Sequence, residues 1–283
     1  MKNPSLWFCT LLFISATAAG ETPGAYLADL TWPQAESRLK SSPLVIIPFG
    51  AGAKEHGRHI PMNADHVVLN YLTDQAVGAA DVIVAPPVLH GWLPAFREYP
   101  GTEISDASVF MQYVNWVAQS LIRHGAKRIH FLNTSIDRAG GLPLAIVARD
   151  IRADQGVPTL LISWDDLETE EAGKLLSQEM GGHADEGETS INLYLQGDRV
   201  DMEKAQTDYG NRPKKDYVGY KPGLLARNTD DPLGSATGAF GDPTLATAEK
   251  GQKILTIMTR NLLQAIEGFS REPLPASSGH QEP

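Results

Sequence analysis

The chain has a single cysteine, Cys9, among 283 residues, so it can build neither an internal disulfide framework nor a thiolate metal site. Lysines and arginines form no basic cluster, and the formal net charge is −10, which argues against nucleic acid as a partner. The pair Lys214-Lys215 stands beside Asp216 and reads as solvated surface. Internal repeats are absent. So are apolar runs long enough to span a bilayer, since the stretch Leu6–Ile14 falls well short of the roughly 20 residues a spanning helix needs.

That short apolar stretch has another reading. Lys2 precedes it and the small residues Ala16-Thr17-Ala18 follow it, which is the pattern of a secretory signal peptide cleaved after Ala18. Residues 1–18 are therefore expected to be a signal peptide, and the mature protein is expected to be periplasmic or secreted, with no membrane segment and no thiol. Residues 19–270 fit one α/β domain, and a hydrophobic content of 42% allows a full core. The segment from Arg271 to Pro283 reads as a disordered tail.

Within the domain, apolar strand-like runs alternate with helical patterns. Strands are expected at Leu44–Phe49, Asp81–Ala85, Arg128–Asn133 and Thr159–Ser163. Helices are expected after Thr31, over Asp65–Val77, from an Asp106 cap to a stop at Gly125, and over Pro143–Gln155, Gly187–Gln196 and Thr247–Glu267. Such alternation predicts a three-layer α/β/α fold with a mainly parallel central sheet.

The densest chemistry follows the first strand, where Glu55, His56, His59, Asp65 and His66 fall within about a dozen residues. Ligand sites in open α/β sheets gather at the carboxyl ends of strands. Imidazole and carboxylate without thiolate suit Zn²⁺, with Mn²⁺ or Fe²⁺ as alternatives, whereas a solvated turn rich in histidine is the plain alternative.

Four blocks in order carry a resemblance. They are His56-Gly57-Arg58-His59-Ile60-Pro61 with Asp65; Ala85-Pro86-Pro87-Val88-Leu89-His90-Gly91 with Tyr99-Pro100-Gly101-Thr102; His183-Ala184 with Glu188-Thr189-Ser190; and Gly241-Asp242-Pro243-Thr244 through Gly251. Together they resemble the creatininase (creatinine amidohydrolase) family over nearly all of the mature chain. The resemblance implies opening of a small amide or cyclic amide C–N bond, other than a peptide bond, by metal-activated water. It also implies a small-molecule substrate and a homo-oligomer. On the matching positions, the metal ligands would be Glu55, His56, Asp65 and Glu188, and His183 would give a proton to the departing nitrogen. His59 would support the site or touch substrate, and Trp92 would line the pocket. His66 is expected at the surface, and His90 and His130 receive no role.

Two departures stand out. The family glutamate lies two residues before the histidine, where this chain has Lys54, read as a solvated or salt-bridged cation; Glu55, one residue on, would have to serve instead. The family block Asn-Gly-His-Gly-Gly-Asn is replaced by Asn133-Thr134-Ser135-Ile136-Asp137-Arg138, so its metal-binding histidine falls on Ser135, with Asp137 as an optional oxygen ligand. A weakened second metal is therefore expected. The alternative function is a member that has lost hydrolysis and only binds a small ligand.

Overall fold

The computed structural model describes residues 22–41, 44–103, 105–135, 138–210 and 235–275. The expected signal peptide, Lys214-Lys215, Asp137 and most of the expected tail lie outside the described residues. Five strands form one sheet: β1 (Ala25–Tyr26), β2 (Val45–Phe49), β3 (Ile83–Val84), β4 (Ile129–Asn133) and β5 (Thr159–Ser163). Their order is β1-β3-β2-β4-β5 and every pairing is parallel, with Val45 opposite Ile129 and Ile129 opposite Thr159.

Helices cover both faces, so the expected three-layer arrangement is what the chain forms. On one side α2 (Ala64–Ala79), α7 (Glu186–Gln196) and α8 (Ala248–Arg271) close over a core that includes Ile46, Leu72, Leu132, Ile254 and Met258. On the other, α3 (Ala107–Arg123) and α4 (Arg138–Gln155) cover Val45, Ile47, Phe49, Phe110, Phe131 and Leu144. The alternation of Val45, Ile46 and Ile47 between the two cores is the period-two geometry of a strand buried on both faces. Shorter helices α1 (Trp32–Ser41), α5 (Trp164–Leu167) and α6 (Glu170–Gly173) complete the chain.

Caps agree with the sequence where their chemistry is local. Asp106 accepts from the Ser108 and Val109 amides at 2.8 and 3.3 Å, and Thr247 accepts from the Lys250 amide at 3.2 Å. Some boundaries differ. Helix α4 begins at Arg138, five residues before the expected start, and carries Pro143 inside it. The strand expected over Asp81–Ala85 keeps ladder pairing only at Ile83–Val84. Among the described residues, no helix is long and apolar enough to cross a membrane.

Candidate metal centre

Phe49 ends β2, and the chain then runs through a loop to α2 at Ala64. Backbone bonds pin this loop to the segment after β3: the Gly52 amide donates to the Leu89 carbonyl at 2.9 Å and the Glu103 amide to the Ala53 carbonyl at 2.9 Å. The Glu55 amide donates to Thr102 Oγ1 at 3.1 Å, so the Tyr99-Pro100-Gly101-Thr102 block holds the loop in place. The loop closes on itself where the Lys54 amide meets the Met62 carbonyl at 2.9 Å. The result is that Lys54, Glu55, His56, His59 and Asp65 are all buried.

The second half of the site comes from the start of α7. Asp185 caps that helix, accepting from the Gly187 and Glu188 amides at 2.9 and 3.0 Å. Just before it, Ala184 holds a φ of +46°, a left-handed conformation that costs an L-residue on the order of 1 kcal/mol. His183 is fixed by an antiparallel bridge to Phe240, whose amide donates to the His183 carbonyl at 2.7 Å. Gly238 lies over Glu55 with a φ of +83°, and any Cβ there would sit 2.0 Å from Glu55 Oε1.

These two halves meet. His183 Nε2 lies 3.0 Å from Glu55 Oε2, and its Nδ1 lies 3.5 Å from Glu188 Oε2. Burial alone would make His183 harder to protonate, but Glu188 and then Glu55 outweigh it, and the net shift is upward. The Phe96 ring packs on His183 at 4.6 Å between centroids, and the His56 ring at 5.1 Å.

His56 shows why a cation fits here. Its Nδ1 is 2.8 Å from the Lys54 carbonyl, an acceptor, so Nδ1 carries the hydrogen. Its Nε2 then faces Asp65 Oδ1 at 3.0 Å, and in the neutral ring both atoms are acceptors. Two acceptors at that distance need a proton or a metal ion between them. Donor atoms of His56, His183 and Glu188 all lie within 4.8 Å of one another, and Glu188 Oε1 is buried without a hydrogen-bond partner among the described residues. A divalent ion taking imidazole and carboxylate fits this donor set.

The structure places each sequence-selected residue. Glu55, His56, Asp65, His183 and Glu188 come together. Lys54, read as a solvated or salt-bridged cation, has the second form and is fully buried, with Nζ 2.9 Å from Asp65 Oδ2. Burial would raise the Asp65 carboxyl, but Lys54 and then His56 hold it well below the usual carboxylate range. His59 is buried, its Nε2 2.8 Å from Thr189 Oγ1, and burial lowers its pKa to about 4. Trp92 packs half-buried against the second core and lines a small cavity with Phe49, Asn133 and Ser135. Ser135 Oγ is buried there without a partner among the described residues. His66 is half-buried, and His90 is exposed with Nε2 3.1 Å from Glu103.

Sequence reading missed Phe96 and Asp185, and gave Thr102 and Thr189 no role beyond their places in the matching blocks. Asp185 had a signal of its own, since Asp185-Glu186-Gly187-Glu188 has capping-box spacing. Glu168 was also missed. It is half-buried, accepts from Trp164 Nε1, and has a pKa raised to about 7, by desolvation first and then by Asp185.

A three-layer α/β fold with a buried His/carboxylate cluster at a strand's carboxyl end defines a candidate metallohydrolase. The family model described as creatinine amidohydrolase matches residues 28–266, and the chain belongs to that family. It is 24% identical to creatinine amidohydrolase of Pseudomonas putida over 88% of this chain and 97% of that protein. It is 26% identical to 3-dehydro-scyllo-inosose hydrolase of Thermotoga maritima, over 89% and 87% of the two chains. It is also 26% identical to mycofactocin precursor peptide peptidase of Mycobacterium tuberculosis, over 84% and 90%. All three names are those of hydrolases. A tryptophan-to-alanine mutant of creatininase superposes with a TM-score of 0.73 at 21% identity, covering 88% of this chain and all of that one. A structure described as creatininase Mn superposes at 0.70 with 22% identity, over 88% and 100%, and a Zn-Zn form of a creatininase mutant at 0.69 with 23% identity, over 87% and 98%.

Proposed function

We propose that this protein is a metal-dependent amidohydrolase that opens a small amide or cyclic amide C–N bond. The observation that carries the reading is the buried convergence of His56, His183 and Glu188, whose donor atoms lie within 4.8 Å of one another, with Asp65 Oδ1 3.0 Å from His56 Nε2. Membership of the creatinine amidohydrolase family supports it. His56, Glu188 and Asp65 would hold the ion, with Glu55 or His183 completing the set; Zn²⁺ is the first expectation, and Mn²⁺ or Fe²⁺ the alternatives. When bound, the ion supplies Lewis acidity to the substrate carbonyl and a lowered pKa for water.

The chain's own residues do the rest. His183, between Glu55 and Glu188, holds a proton and delivers it to the departing nitrogen. Phe96 packs on the His183 ring and restricts its plane. The His59–Thr189 contact ties the loop to α7, and with it to Glu188. We also read the chain as an exported homo-oligomer, on its N-terminal pattern and family.

A panel of lactams, hydantoin-type rings and short peptide amides, offered to Zn²⁺- or Mn²⁺-loaded protein, tests the reading. Turnover of a small cyclic amide, lost in EDTA, is expected. His183→Gln should lower kcat by about 10²–10⁴-fold. Metal retained in that variant assigns His183 as proton donor, and metal lost assigns it as ligand. Turnover indifferent to both EDTA and His183→Gln would sink the proposal.

A further inference from the structure

Lys54 is among the largest fully buried side chains of the described residues, and it ends in a charge. Its Nζ lies 2.9 Å from Asp65 Oδ2 and 5.1 Å from the centroid of the Phe96 ring. The other oxygen of the same carboxylate, Oδ1, faces His56 Nε2. One carboxylate thus addresses two positive positions: an ammonium from its own chain, and the place where His56 would hold an ion.

The charges of the pocket agree with that division. Glu55, Asp65 and Glu188 bring three buried carboxylates into one region. One ammonium and one divalent ion offset them before the His183 proton is counted, whereas a second divalent ion beside the ammonium would leave a larger excess of positive charge in a low-dielectric site. Ser135, whose buried hydroxyl is a poor ligand beside imidazole, offers little to hold a second ion.

We propose that Lys54 is the resident cation of a two-cation centre: its ammonium permanently occupies the Oδ2 side of Asp65 and leaves the Oδ1 side for one divalent ion. Only the Oδ1 half rests on the metal-dependent reading above. Removing the Lys54 charge opens the Oδ2 side to a second divalent ion.

The test is a count of Mn²⁺ bound to metal-stripped protein, from the free-ion resonance signal, together with the thermal midpoint with and without Mn²⁺. Lys54→Arg, which keeps the charge, should match wild type. Lys54→Met, which keeps the stem against Phe96, and Lys54→Glu should each take up one more equivalent than wild type. Mn²⁺ should also raise the midpoint of Lys54→Met by more than that of wild type. Equal uptake and equal stabilisation in wild type and Lys54→Met would overturn the proposal. So would failure of Lys54→Met to fold even in excess Mn²⁺, because the ion would then not replace the ammonium. No uptake by wild type would refute the metal-dependent reading, while the difference between variants would still decide the role of Lys54.

Discussion

His130 occupies the middle of β4 with no exposed surface, and neither ring nitrogen has a hydrogen-bond partner among the described residues. Burial alone lowers its pKa from 6.5 to about 3. The folded protein therefore keeps this ring neutral where the unfolded chain would bind a proton. The associated stability is fully present above pH 6.5 and is lost as pH falls toward 3, by about 1.4 kcal/mol per pH unit. His130→Leu should remove that dependence: between pH 7 and pH 5 its urea midpoint should fall less than that of wild type. Equal falls in the two proteins would show that other groups govern the acid response. At this scale the sequence was a partial guide. Residue types pointed to Glu55, His56 and Asp65, and the family resemblance added His183 and Glu188, but nothing in the pattern said that His130 was buried without a partner among the described residues. The burial of Lys54 was hidden for the same reason, since it depends on Asp65, eleven positions away, turning back from α2.

Helices α7 and α8 cross with almost no space between backbones. A Cβ at Gly251 would lie 2.0 Å from the Ser190 carbonyl oxygen and 2.4 Å from its carbon, both rigid atoms. Gly251→Ala should therefore push α8 off α7 and cost roughly 1–3 kcal/mol, by the overpacking penalty of a filled core. Gly268, on the same helix with nothing near its absent Cβ, serves as the control. Gly268→Ala should be neutral or stabilising by roughly 0.5–1 kcal/mol, because alanine is the better helix former. Chemical denaturation of both variants checks the pair, and a Gly251→Ala protein as stable as wild type would mean that the crossing is loose. Because α7 carries Glu188, this contact also positions the site. Strands and helices were largely legible because period and caps are local, as Asp106 and Thr247 illustrate. The start of α4 before Pro143 was not, because tertiary packing lets a helix accept one missing amide hydrogen bond.

At the scale of the whole molecule, the layers and the parallel sheet follow from alternation, while the order β1-β3-β2-β4-β5 and the joining of two distant loops into one site do not. His183 and Glu55 lie 128 positions apart and meet only because the α7 start and the β2–α2 loop share one end of the sheet. Export is a separate expectation at this scale, and amino-terminal sequencing of the exported protein should begin near Ala19. A mature chain that still begins at Met1 would contradict it. The central claim is that the buried cluster is a metal site. Elemental analysis of purified wild type, His56→Ala and Asp65→Ala tests it most directly. About one equivalent of a divalent transition metal is expected in wild type, and most of it should be gone in His56→Ala, where the facing acceptor pair no longer exists. Full metal content in both variants, or none in wild type supplied with Zn²⁺ and Mn²⁺, would contradict the account.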